Sequence, residues 1–289
     1  DQHVPDWRVE ANLNTASQLR DGGLDLAVNA NIKYVDQDIP VMAPENKGVD
    51  LINYLLTANW ARGGMTTRAE VGDTLIDLSP NTLSSLSRRG AQLFLGTDMA
   101  RIGGVSVCSA QSYGYDGETG INSDTSAHIH GIYGDLNLLD NRMRLSVIYT
   151  RGGEQGDSFG TSATDRNVEG STAGFVLTTD FFEGRLVSEF ESNFATFDDD
   201  TTDDQESRSD AAYRLNVQGG IDHYSYSATY KYFGSNYEVV GNQGLEKDRK
   251  GIELDGGAGF ERHGLSLAYS HFRDNVDNDP ARSVVQTQT

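Results

Sequence analysis

His128 and His130 stand two residues apart in a stretch that alternates polar and apolar residues. On a strand their imidazoles would share a face, where a third ligand could complete a transition-metal site. The sequence fixes no third ligand, and the plainer reading is a pair of histidines in a lumen or at a loop base. Asp198, Asp199, Asp200, Asp203 and Asp204, with Glu206 and Asp210 beyond them, form one acidic segment; Asp274, Asp277 and Asp279 form another. Both offer hard oxygen ligands to calcium, although neither has EF-hand spacing, and acidic runs also serve as solvated loops. Calcium is the one cofactor these residues suggest. Cys108 is the single cysteine, which excludes an internal disulfide framework and a multi-cysteine zinc site. Serine, histidine and aspartate are plentiful, yet no nucleophile elbow surrounds any serine, and enzymatic activity is not expected.

A larger set of charged residues follows a simpler rule. Arg8, Glu10, Asp25, Lys33, Arg68, Glu70, Arg142, Arg144, Arg185, Glu189, Glu191, Arg214, Lys231, Glu253 and Asp255 all fall on the polar parity of alternating segments. Burying so many charges without water would cost several kcal/mol per unpaired ion. The shared face should therefore line a hydrated lumen, or one occupied by a plug or a partner protein. Opposed Arg and Glu side chains would also pair across strands and stiffen the wall. Because both signs are represented, strong anion or cation selectivity is not expected.

The alternation that carries these residues runs the length of the chain. Leu24, Leu26, Val28, Ala30, Ile32 and Tyr34 alternate with Asp25, Ala27, Asn29, Asn31 and Lys33, and Tyr224, Tyr226, Ala228, Tyr230 and Tyr232 alternate with Ser225, Ser227, Thr229 and Lys231. Segments of about ten residues with period two are what a tilted strand needs to cross a bilayer. Tight-turn signals at Asp21-Gly22, Gly63-Gly64, Arg101-Ile102, Asp140-Asn141, Glu183-Gly184, Asp222-His223 and Arg262-His263 recur about every forty residues. Long polar stretches lie between them, near 36–48, 73–89, 114–126, 151–166, 198–210, 234–249 and 274–282. The reading is fourteen strands, at 7–18, 24–35, 49–62, 64–72, 90–99, 103–113, 127–138, 142–150, 167–181, 185–197, 211–221, 224–233, 250–261 and 264–273, with a further one starting near Ser283. A propeller blade would instead need four short strands per repeat.

The bulk properties agree with a membrane barrel. The chain has 289 residues, a formal net charge of −20 and 37% hydrophobic residues. So acidic a chain repels phosphate, which argues against nucleic acid as a partner. It contains no apolar run long enough for a transmembrane helix, and a closed barrel is the structure that crosses a bilayer at such low hydrophobicity. Trp7, Trp60, Tyr34, Tyr149, Phe181, Phe194, Tyr213, Tyr232 and Tyr269 sit near strand ends, where interfacial aromatic girdles lie. The expectation is an all-β, antiparallel up-and-down transmembrane barrel over residues 1–289. Because the first strand would descend into a short turn, these residues are expected to be a contiguous part of a larger barrel.

On these grounds the chain resembles the Gram-negative outer-membrane β-barrel class, which includes porins and large secretion barrels. The segment Gly72-Asp73 with Ser87-Arg88-Arg89-Gly90-Ala91-Gln92-Leu93 resembles the Gly-Asp and Arg-Gly strand pair of fimbrial ushers. The class implies a bacterial outer membrane, contact with its lipid and lipopolysaccharide, and an aqueous channel or a conduit of a transport or secretion system. Two other readings remain open: an extracellular calcium-binding adhesin or surface module, and a barrel that serves as a structural sleeve around a partner protein.

Overall fold

The computed structural model describes residues 7–37, 48–112, 114, 119–156, 166–242 and 244–289. These form one antiparallel sheet whose strand order is the chain order. The strands are β1 (Arg8–Asp21), β2 (Leu24–Gln37), β3 (Gly48–Arg62), β4 (Met65–Ile76), β5 (Leu86–Gly96), β6 (Ala100–Cys108), β7 (His128–Leu138), β8 (Met143–Glu154), β9 (Val168–Asp180), β10 (Val187–Asp198), β11 (Arg208–Ile221), β12 (Tyr224–Phe233), β13 (Arg249–Phe260), β14 (His263–Arg273) and β15 (Gln286–Gln288). Among the described residues β1 pairs only with β2, and β15 only with β14. The expected long stretches at 36–48 and 151–166 lie largely outside the described residues, as does part of 114–126.

Short connections close one end of the sheet. Gly22-Gly23 and Gly63-Gly64 are two-residue turns in which all four residues have positive φ, the geometry that matches the right-handed twist of the flanking strands. The turn expected at Arg101-Ile102 is displaced. It is formed by 97–99, where Thr97 N–H donates to the Ala100 carbonyl at 2.7 Å, while Gly103 and Gly104 lie inside β6. Those glycines serve close packing. A Cβ on Gly103 would come within 2.2 Å of the Tyr133 ring.

The sheet is inside out relative to a soluble protein. Leu13, Leu19, Val28, Leu56, Trp60, Ile132, Phe194, Leu265 and Leu267 are exposed, whereas Glu70, Arg89, Gln92, Asp135, Glu154, Glu191 and Asn193 are buried. Apolar side chains that face outward along β1 to β14 have no protein partner to cover them, and lipid is the medium that would. The aromatic rings Phe194, Tyr213 and Tyr232 form an outward stack, with centroids 6.2 and 5.7 Å apart.

Candidate functional site: the narrowed lumen

Cross-strand register places thirteen of the fifteen expected lumen residues on one face. Arg8, Glu10, Asp25, Lys33, Arg68, Glu70, Arg144, Glu189, Glu191, Arg214, Lys231, Glu253 and Asp255 all share inward parity. Arg142 and Arg185 depart from that pattern. Both sit in tight connections, 139–142 and 181–186, because the chain needs those positions to reverse before β8 and β10 begin. Arg20, Arg101, Asp135, Arg208, Asp210 and Arg249 join the inward face, a place the sequence reading gave to none of them; Asp210 was read as part of the acidic segment. Arg101 was missed because its segment reads as a turn.

Inward charges meet in short ladders. Lys33 approaches Glu10 at 3.0 Å, Lys231 approaches Glu253 at 3.0 Å, and Arg214 pairs with Glu189. Arg68 pairs with Glu70, whose carboxylate also accepts from Thr74 at 2.7 Å. The densest group is centred on Asp135. Its carboxylate accepts from Arg101 at 2.7 Å, Arg144 at 2.9 Å and Ser146 at 2.6 Å, so one buried anion holds two cations. Arg101 also lies over the rings of Phe94 and Tyr133, at 5.3 and 6.0 Å from their centroids.

Two long connections, within the stretches read as polar at 73–89 and 234–249, fold into the lumen. In the connection 77–85, Leu83 is fully buried, and in 234–248 Tyr237, Val239 and Val240 are buried. They pack with Ile76, Leu86, Val105, Val107, Ile129, Ala195, Phe197, Ala212 and Phe233 into one apolar cluster. Polar anchors tie the two segments to each other and to the wall. Asn81 N–H donates to Glu191 Oε1 at 3.1 Å, the Tyr237 hydroxyl to the Asn81 carbonyl at 2.6 Å, and Asn242 Nδ2 to the Thr82 carbonyl at 2.6 Å. Glu154 accepts the backbone N–H of Gly241. Gly241 has φ +82°, and a Cβ there would lie 2.5 Å from Ile129, so the loop tip seats against the wall only as glycine. The sequence carried a signal for this. Leu83, Leu86, Tyr237, Val239 and Val240 are too apolar for a solvated loop.

A cavity of about 370 Å³ remains beside this barrier. Ser79 and Pro80 face it from the loop, and Arg101, Tyr133, Asp135 and Arg144 face it from the wall. With Asp77 from the loop and Glu189 from the wall, the cavity is lined by two arginines, three carboxylates and an aromatic edge.

The remaining candidates fall elsewhere. His128 and His130 stack with centroids 6.4 Å apart on the outward parity of β7, and Cys108 Sγ lies 3.7 Å from His128 Nε2. Among the described residues, no group of three or more His, Cys, Asp or Glu side chains converges as a metal site. Asp198, Asp200 and Asp203 accept N–H groups two residues ahead, those of Asp200, Thr202 and Gln205, while Asp199 and Asp204 are exposed. The Thr202 hydroxyl and N–H hold the Asp200 carboxyl below its ordinary range. Asp274 accepts from Val285 N–H, Asp277 from the Ser235 hydroxyl and Asp279 from Ala281 N–H. The usher-like segment is a structural clamp: Gly72 faces Gly90, and Asp73 pairs with the buried Arg89, which also donates to the Gly114 carbonyl at 2.6 Å.

No protein-family model matches the chain, and no curated protein matches it significantly. Solved structures do. The outer membrane protein opdK from Pseudomonas aeruginosa is 10% identical with a TM-score of 0.51, over 94% of this chain and 78% of that one. OpdL of the same species is 12% identical with a TM-score of 0.51, over 97% and 79%. OccAB3 of Acinetobacter baumannii is 12% identical with a TM-score of 0.52, over 98% and 79%. At these identities the likeness is one of fold: the chain has the fold of Gram-negative outer-membrane β-barrel proteins.

Proposed function

We propose that the protein is an outer-membrane channel for small polar solutes, narrowed from within by its own loops. The observation that carries this reading is the cavity bounded by Ser79 and Pro80 on one side and by Arg101, Asp135 and Arg144 on the other. Half-exposed arginines around a buried aspartate let a hydrated solute exchange its water for polar contacts, whereas an apolar constriction would gate by dewetting. The loops also argue against a sleeve for another protein. Residues 77–85 and the described part of 234–248 pack on inward wall residues that a threaded partner would otherwise contact. A calcium-dependent adhesin draws less support, because the two acidic segments direct their carboxylates mainly into local turns.

Planar-bilayer recording tests the channel reading directly. Protein refolded in detergent should give discrete, ohmic conductance steps with modest ion selectivity, and liposomes containing it should swell in small-sugar solution. A folded, heat-modifiable protein that gives neither steps nor swelling would sink the proposal.

A further inference from the structure

The outward wall of β4 to β8 has a groove of about 850 Å³ that the lumen does not explain. Two adjacent cross-strand rows build it. The row nearer the long-loop end is Val71, Ala91, Ser106, His130 and Arg151; the row below is Ala69, Leu93, Gly104, Ile132 and Tyr149. Ala69, Ala91 and Gly104 make a shallow floor, because they place at most one methyl group outside the sheet. Leu93, Ile132 and Tyr149, which remain 45%, 62% and 44% exposed, stand as its sides. Below them a second hollow continues along Met65, Leu95, Ile102, Gly134, Leu136 and Val147, apolar apart from its edges.

The polar groups are confined to one end. Thr125, from the connection after β6, lines that end, and the Ser106 hydroxyl donates to the Asn122 carbonyl of the same connection at 3.4 Å. His130 Nε2 is buried with no hydrogen-bond partner among the described residues. Beside it stands Arg151, which pairs with Glu169 at 2.7 Å through a single nitrogen and keeps further N–H donors of its five.

The geometry points to a glycolipid site: a phosphate of outer-leaflet lipid A held by Arg151, with an acyl chain lying down the Gly104 floor. Three features select this occupant over others. The groove opens on the lipid-facing parity, so the medium that fills it is lipid. Its cationic end lies toward the long loops, the extracellular side of such barrels. Arginine binds phosphate through several N–H groups at once, which favours a phosphorylated headgroup over a neutral one. The inference is independent of what the lumen carries.

Native mass spectrometry of the refolded protein in detergent micelles, titrated with bisphosphorylated lipid A, tests it. Wild-type protein should retain a single lipid A. Arg151→Gln should weaken retention by about tenfold or more, as expected for loss of a charge-assisted phosphate contact. Gly104→Leu and Ala69→Leu, which fill the floor at different points, should each do the same, and heat-modifiable gel migration confirms that a variant has folded. Lipid A stripped of phosphate should bind wild-type protein as weakly as intact lipid A binds Arg151→Gln. Equal retention by wild type and every folded variant overturns the site. So does a protein dimer that forms without lipid and dissociates in Gly104→Leu, since the groove would then belong to a second copy of the chain.

Discussion

The wall from β4 to β10 and the wall from β11 to β14 follow the same alternation, yet their inward faces end in different environments. On the first, Glu70, Gln92, Asp135, Glu154, Glu191 and Asn193 are buried, and the infolded loops bond directly to Glu154 and Glu191. On the second, Lys231 and Glu253 keep 26% and 36% of their side-chain surface, and their ion pair faces open space. Strand parity decides only which face is inward; what covers that face decides what a charge there is worth. A buried carboxylate must have donors, so Glu191 takes the Asn81 N–H and the Asn193 amide, and Asp135 takes three groups. An exposed pair is screened by water and contributes little.

The sharpest way to break the contrast is to remove the cover. Replacing 78–84 with a short Gly-Ser linker should strip the lid from β4 to β10 and raise single-channel conductance several-fold. An unchanged conductance would mean that these residues do not limit flow. Glu191→Ala asks for less. It deletes the acceptor for Asn81 N–H and leaves that donor buried, which should cost about 1–3 kcal/mol in urea unfolding from liposomes. Loosening of the loop should also show as flickering current.

Asp135→Asn tests whether the covered wall sets selectivity. With the anion gone, Arg101 and Arg144 lose their shared partner and the cavity keeps only Asp77 and Glu189 as acids, so the reversal potential in a salt gradient should shift toward anions. The sign follows from the charge: one negative group is lost between two fixed positive ones. A shift toward cations, or none, would show that ions pass away from this cluster.

The strands and their inward residues were legible because period two is a local property of the chain, and a face that meets water shows it residue by residue. The covered wall was not, because burial under a loop depends on residues far apart in sequence. Glu191 reads as one more polar-parity acid; only its contact with Asn81, 110 positions away, makes it an anchor. The turn near Arg101 misled for a related reason. Gly103-Gly104 looks like chain reversal, but Gly103 is small so that Tyr133 can lie against the wall, and Gly104 forms the floor of the outward groove. The acidic segment 198–204 was ambiguous because the same carboxylates suit calcium and backbone turns alike.

The smallest expected effect belongs to the open wall. Lys231→Ala and Glu253→Ala each remove one partner of a hydrated pair, and neither leaves the other stranded, since water solvates what remains. Each should change unfolding stability by less than about 1 kcal/mol, and the double variant should deviate from additivity by only a few tenths. Lys231 also lies 6.0 Å from the Phe272 ring, so its loss should slightly exceed that of Glu253. A coupling as large as the loss expected for Glu191→Ala would mean that the wall from β11 to β14 is as dry as the wall from β4 to β10, and the contrast between them would fall.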